Sequence, residues 1–197
     1  MVLTVYGASS KTLAKIYTEK VEELGRLAAK RGHSLVFGGG NDGLMGAAAR
    51  GFFEGGAEVI GVTPRFFDAD GILFPDCTKL IRTDTMRERK ALLETLADAF
   101  IVAPGGPGTY DEFFEVLTNK QLDRHVKAIV IYNINHFYDP LLAFLRQAVE
   151  QNFIKPKLWD LIAVFEDPAE LLDYLETYKP TTFTLEDLKD VTARKNG

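Results

Sequence analysis

Three segments rich in small residues have the composition to hold an anion: Gly7-Ala8-Ser9-Ser10, Gly38–Gly46 (GGGNDGLMG) and Pro104-Gly105-Gly106-Pro107-Gly108-Thr109. Each follows a short apolar run and precedes an amphipathic stretch, so each reads as strand, loop and helix. Such a loop turns backbone N–H groups and the positive end of a helix dipole toward one point. Glycine lets that backbone approach a phosphate closely, because no Cβ intervenes. One such loop is as readily a tight turn; three on one sheet edge point to nucleotide or phosphate binding. The second and third loops are neither of the common phosphate motifs: GGGNDGLMG lacks the lysine of GxxxxGK[ST], and no acidic residue stands where a dinucleotide fingerprint needs one. A mononucleotide therefore fits better than a dinucleotide.

Two charged groups accompany the loops. Glu112 falls one turn into the helix expected from Thr109, within reach of a phosphate at that N-terminus. Arg89 falls at the start of an earlier helix, and its planar fork grips phosphate or carboxylate with two bonds, as lysine cannot. On residue type alone, Glu112 is better explained by dipole stabilisation worth about 0.3–1 kcal/mol. By residue type alone Arg89 and Lys90, beside Arg87 and Glu88, read as a solvated face. His33, His125 and His136 lack metal-ligand spacing and are expected on the surface or in loops. The single cysteine, Cys77, excludes a disulfide framework and a cysteine-based zinc site.

The elements that must position these groups alternate along the chain. Strands are expected at Val2–Tyr6, Ser34–Phe37, Glu58–Val62, Lys79–Arg82, Ala99–Ala103, Ala128–Tyr132 and Leu161–Phe165. Helices are expected from Leu13 toward Gly32 and over Gly43–Glu54, Thr85–Leu96, Thr109–Leu122, Pro140–Gln151 and Pro168–Tyr178. Pro64–Thr78 has no period and reads as a long loop. Strands such as Ala128-Ile129-Val130-Ile131 are continuously apolar, which marks a parallel sheet buried between helices. The fold class is therefore α/β: a single doubly wound parallel sheet, with ligands beyond the carboxyl ends of its strands. Residues 1–180 read as one domain and residues 181–197 as a polar, helical C-terminal tail.

Composition limits the partners. The chain has 197 residues, 46% hydrophobic and 26% charged, so it can build a core without a disulfide or metal staple. A net charge of −5 with no long basic run disfavours nucleic-acid polymers. No apolar run is long enough for a membrane helix, and the N-terminal residues do not resemble a secretory signal, so a cytoplasmic protein is expected.

The motifs are more specific than the composition. Pro104–Glu112 matches PGGxGTxxE, Met86-Arg87-Glu88-Arg89-Lys90 matches MxxRK, and Gly38–Gly46 matches GGGxxGLMG. In these, and in Asn135–Leu142 and Ala148–Ile154, the chain resembles the "Lonely guy" family over Thr4 to Pro180. These are cytokinin riboside 5′-monophosphate phosphoribohydrolases, often mislabelled lysine decarboxylases. The resemblance implies a Rossmann-like fold, a homodimer with active sites near the interface, and no cofactor or metal. It implies hydrolysis of the N-glycosidic bond of an adenosine 5′-monophosphate, often N6-prenylated, to free base and ribose 5-phosphate. It assigns Arg89 and Glu112 to catalysis, and Lys90, Gly106, Pro107, Gly108, Thr109 and Thr118 to the nucleotide. Gly105, Gly39, Gly40 and Ser9 join the phosphate-binding set through the glycine loops.

The implied chemistry is coherent. Breaking the N–C1′ bond develops oxocarbenium-like charge on the ribose, which a carboxylate stabilises while orienting or deprotonating water. Glu112 is expected in that role, with Arg89 positioning the nucleotide. The chain departs from the family at Gly7-Ala8-Ser9, often Cys-Gly-Ser, and at Thr109-Tyr110-Asp111-Glu112, often Thr-Leu-Glu-Glu. Many members carry a substrate-contacting glutamate where this chain reads PRFFDADG, so Asp68 or Asp70 takes its place or nothing does. Met86 is a candidate for the edge of the base pocket. Phe113, Phe114 and Leu117 are candidates for burial, in the core or across a two-fold. A non-catalytic nucleotide-binding or carrier module of the same fold is the alternative. A pyridoxal-phosphate decarboxylase is disfavoured, since no recognisable lysine context for that cofactor is present.

Overall fold

Seven parallel strands form one sheet in the order β4-β3-β2-β1-β5-β6-β7. The structure, a computed structural model, describes residues 1–67 and 71–180. Asp68, Asp70 and the tail expected over 181–197 lie outside the described residues. The strands are β1 (Val2–Tyr6), β2 (Ser34–Phe37), β3 (Val59–Pro64), β4 (Lys79–Thr83), β5 (Ala99–Val102), β6 (Ala128–Tyr132) and β7 (Ala163–Phe165). The helices are α1 (Lys15–Lys30), α2 (Gly43–Glu54), α3 (Met86–Leu96), α4 (Pro107–Gln121), α5 (Asp139–Glu150) and α6 (Pro168–Thr177).

Every position of β5 and β6 is buried, as the continuous apolar runs require of strands covered on both faces. One face carries Leu3, Val5, Ile101 and Val130 against α1, α2 and α6. The other carries Tyr6, Val102, Ile129 and Ile131 against α3, α4 and α5. Strand β1 lies between β2 and β5, so the chain winds away from it in both directions. That makes the β1/β5 boundary the topological switch point, and the loops after β1, β2 and β5 border its crevice.

Two expectations needed revision, and the loop residue His33 brought a further finding. Helix α4 begins at Pro107 rather than Thr109, because proline at the first helical position lacks only an N–H that has no intrahelical partner there. The segment after β3 is not a featureless loop: Arg65–Phe67 is a 3₁₀ turn, and Leu73 forms an antiparallel bridge with Gly40. His33 lies in the loop before β2 but is buried, with Nε2 at 2.8 Å from Glu176 Oε1 and Nδ1 at 3.4 Å from the Met1 amine.

Thr4 in the middle of β1 is fully buried, and its hydroxyl has no hydrogen-bond partner among the described residues. A buried, unsatisfied hydroxyl costs about 1–3 kcal/mol. Thr4→Val is therefore expected to stabilise the fold by about 1 kcal/mol. Urea denaturation would show a higher midpoint at unchanged slope; an unchanged or lower midpoint would refute this.

Candidate active site

The crevice is assembled by backbone hydrogen bonds among the three loops. Ala8 N–H donates to Pro104 O at 3.0 Å, and Leu44 N–H donates to Ala8 O at 2.7 Å. The first loop thus ties the starts of α2 and α4 together. Gly43, at φ +59°, is required twice over: its backbone is left-handed, and a Cβ there would collide with Ala8 O. No side chain caps α4, whose N-cap is Gly106, so its first N–H groups and dipole face the cleft.

The resulting cleft holds about 470 Å³. Ser9 and Ser10 line one wall, Gly106, Pro107, Gly108 and Thr109 another, with Met45, Phe67 and Met86 as apolar edges. Arg89 and Glu112 also line it. Arg89 Nη1 donates to Glu112 Oε1 at 2.6 Å, and Arg89 Nε donates to Val62 O at 3.3 Å. Both side chains are nearly buried, at 8% and 11% exposure. A capping box, Thr85 with Glu88, fixes the start of α3 one residue before Met86.

Burial pushes the Glu112 carboxyl above the ordinary range. The charge and hydrogen bond of Arg89 pull the other way, and burial outweighs them. Tyr6, at the end of β1, senses the same pair. Burial first, and then the Glu112 charge, keep its phenol protonated well above the usual range. The arrangement can hold an anion at the α4 N-terminus and place a carboxylate of raised proton affinity, backed by a guanidinium, beside it.

The other expected residues are dispersed. Gly105 lies behind the loop, where a Cβ would collide with the Thr109 side chain. Gly39, at φ +79°, accepts Phe74 N–H at 2.8 Å through its carbonyl. Gly40 borders a side chamber of about 180 Å³, which shares Met45, Phe67 and Arg89 with the cleft as lining and is walled by Ile72 and Leu73. Lys90 points away from the cleft into an outer groove, bound to Asp111 at 3.0 Å and Glu115 at 2.7 Å. Thr118 lies on the same groove. Phe113 and Leu117 are core, whereas Phe114 is exposed. Met86 lines the cleft. Among the described residues no lysine lines it, and no cluster of three histidines, cysteines or carboxylates is placed to hold a metal.

Sequence reasoning missed Tyr138 as a support of the loop. Its buried hydroxyl donates to Ala103 O at 2.8 Å, immediately before the Pro104–Thr109 loop. Asn133 Oδ1 accepts Tyr138 N–H at 2.7 Å and holds it there. The Asn-His-Phe-Tyr-Asp-Pro stretch carried this signal.

The family described as "Possible lysine decarboxylase" matches residues 45–175. Cytokinin riboside 5′-monophosphate phosphoribohydrolase LOG of Oryza sativa subsp. japonica is 38% identical over 178 residues, covering 90% of this chain and 74% of that protein. LOG2 of Arabidopsis thaliana, with the same activity in its name, is 35% identical over 178 residues, covering 90% and 84%. Among solved structures, the molybdenum cofactor carrier protein of Chlamydomonas reinhardtii superposes with a TM-score of 0.68 at 22% identity, covering 89% of this chain and 95% of that one. The molybdenum cofactor binding protein of Rippkaea orientalis gives 0.68 at 19%, covering 89% and 94%. These two likenesses establish the shared fold.

Proposed function

The chain belongs to the family of cytokinin riboside 5′-monophosphate phosphoribohydrolases, and from that footing we propose that it hydrolyses the N-glycosidic bond of an adenosine 5′-monophosphate. The observation that carries this reading is the buried Arg89–Glu112 pair beside the uncapped N-terminus of α4.

The 5′-phosphate sits at the N–H groups of Gly108 and Thr109, flanked by Ser9. The ribose then lies over Glu112. As the N9–C1′ bond breaks, positive charge grows at C1′, and the Glu112 carboxylate stabilises it. The purine leaves with the N9–C1′ bonding pair and is protonated by solvent; water adds its oxygen to C1′ and gives one proton to Glu112, which returns it to solvent, so water is the only co-reactant. Arg89 holds Glu112 in place and positions the nucleotide. The raised proton affinity of Glu112 suits a group that must accept this proton near neutral pH. The side chamber walled by Met45, Phe67, Ile72 and Leu73 suits an apolar N6 substituent.

Lys90 is occupied by two carboxylates and supports the site through Asp111, which neighbours Glu112. We read the exposed Phe114, Phe144 and Phe153, at 37%, 61% and 81% exposure, as part of a homodimer surface. Among the described residues no helix is long and apolar enough to cross a membrane.

Three measurements test these readings. Chromatography of AMP and N6-isopentenyl-AMP reactions is expected to show free base from wild type. Release should fall by about 10²–10⁴-fold in Glu112→Gln, with nucleotide binding retained. Binding without turnover by wild type would instead favour the carrier module. Phe67→Ala is expected to reduce the preference for the isopentenyl substrate over AMP by about tenfold; an unchanged ratio would remove the chamber from base selection. Sedimentation at micromolar concentration is expected to show a dimer that Phe114→Glu dissociates, and a wild-type monomer would sink that assignment.

A further inference from the structure

The glycines of the second loop have different reasons to be glycine. At Gly39 and Gly43 the backbone is left-handed, and a side chain is strained whatever the space around it. Gly38 is different. Its φ lies outside the left-handed region, so its backbone admits any L residue. What excludes a side chain there is another side chain: a Cβ on Gly38 would fall well inside contact distance of Arg89 Nη2, and 3.1 Å from Cζ. Met45 Sδ closes the other side at 3.3 Å. The guanidinium lies in the notch left by the missing Cβ.

We propose that Gly38 is a positioning residue for the hydrolytic site, setting where the Arg89 guanidinium stands against Glu112. The inference rests on reading that pair as the reactive centre. Arg89 is held from three directions: by Val62 O of β3, by Glu112 of α4, and by the backbone surface of Gly38 at the end of β2. The first two are hydrogen bonds that a long side chain can keep in more than one pose. The third is steric and removes the freedom that remains. A methyl group at Gly38 leaves the backbone undisturbed, because the atom it meets is the far end of a flexible side chain. Arg89 must then retreat by about an ångström to restore ordinary contact, and misplacement on that scale costs up to about 100-fold in rate.

The consequence for Glu112 has a definite sign. The charged groups around it are Arg89 and Lys90 of α3, Asp111 on its own helix, and Tyr6 of β1, whose phenol is neutral. Arg89 is the first-ranked of the influences that favour the ionised carboxylate. Arg89 Nη1 already stands at 2.6 Å from Glu112, so a displacement on this scale lengthens the contact, raises the proton affinity of Glu112 further and moves the acid limb of activity to higher pH.

The test is a double-mutant cycle of Gly38→Ala with Arg89→Lys, which keeps the charge but has no Nη2 to meet the methyl group. In the wild-type background Gly38→Ala is expected to lower kcat about 10- to 100-fold, change KM less, and move the acid limb of the kcat profile upward. In the Arg89→Lys background the same change is expected to alter kcat by less than about twofold. Equal losses in both backgrounds, or an unmoved acid limb, would overturn the proposal. A readout independent of turnover is the Glu112 carboxyl titration by ¹³C NMR in the four proteins. Gly38→Ala should raise its midpoint only when Arg89 is present. If wild type hydrolysed neither nucleotide, the functional reading would fail while this titration still decided the role of Gly38.

Discussion

A guanidinium and a carboxylate 2.6 Å apart and nearly out of water set the terms for the rest of the molecule. Removing such ions from water costs several kcal/mol each, and their attraction recovers it only when the geometry is close and the remaining groups are satisfied. Here the balance is visible in Glu112, whose proton affinity is raised even with Arg89 beside it. The pair is a charge arrangement the core tolerates, and the surrounding elements are placed so that it can. Val62 O takes the Arg89 Nε proton, Gly38 gives up its side chain, and Lys90 is drawn outward by Asp111 and Glu115.

Meeting those conditions requires four chain segments to converge at one end of the sheet. A parallel sheet does this, because all its strands end on the same edge. The in-register pairing of Tyr6 with Val102 brings the loops after β1 and β5 level. Ala8 then serves both neighbours, donating to Pro104 and accepting from Leu44. The starts of α2 and α4 are thereby held by backbone alone, with no side chain spent on capping either. On the far side, Tyr138 and Asn133 fix Ala103, so the Pro104–Thr109 loop is supported from behind by the segment between β6 and α5. Rigid backbone on both sides is what holds loops built of glycine, the most flexible residue, in one defined shape.

Much of this was legible in the sequence for physical reasons. β2, β6 and α2 fall where expected, because runs such as Ala128–Tyr132 have one stable reading once both faces are covered. Arg89 and Glu112 were legible as a pair through the motifs that contain them. The facing of side chains was not. Lys90 directly follows Arg89, yet one step along a helix turns a side chain by about 100°, enough to send it into another groove. Thr118 is on the helix of Glu112 but on its outer side for the same reason. Pro107 reads as part of the loop and is instead the first residue of α4, where its missing N–H has no intrahelical partner to lose. Gly38 and Gly39 look identical in sequence; only φ and the neighbouring atoms reveal that one serves the backbone and the other serves Arg89. The chamber wall supplied by Ile72 and Leu73 depends on a bridge to Gly40 that no local pattern announces.

The distinction between what the fold provides and what the site provides follows from these contacts. A switch point lined with glycine loops offers a place for a phosphate and nothing about what is done to it. The proposed chemistry rests on two groups that take no part in any strand pairing, the guanidinium of Arg89 and the carboxylate of Glu112. Retaining a buried pair whose carboxylate is held against its own desolvation is a cost to the folded state, and a passive phosphate site has no use for it. Pre-placing the carboxylate in a dry, fixed position removes the reorganisation that water would demand as positive charge grows on a sugar. The steric fit of Gly38 around Arg89 belongs with the proposed chemistry, since the backbone just after β2 is not left-handed at Gly38 and what a methyl group there would meet is the Arg89 side chain.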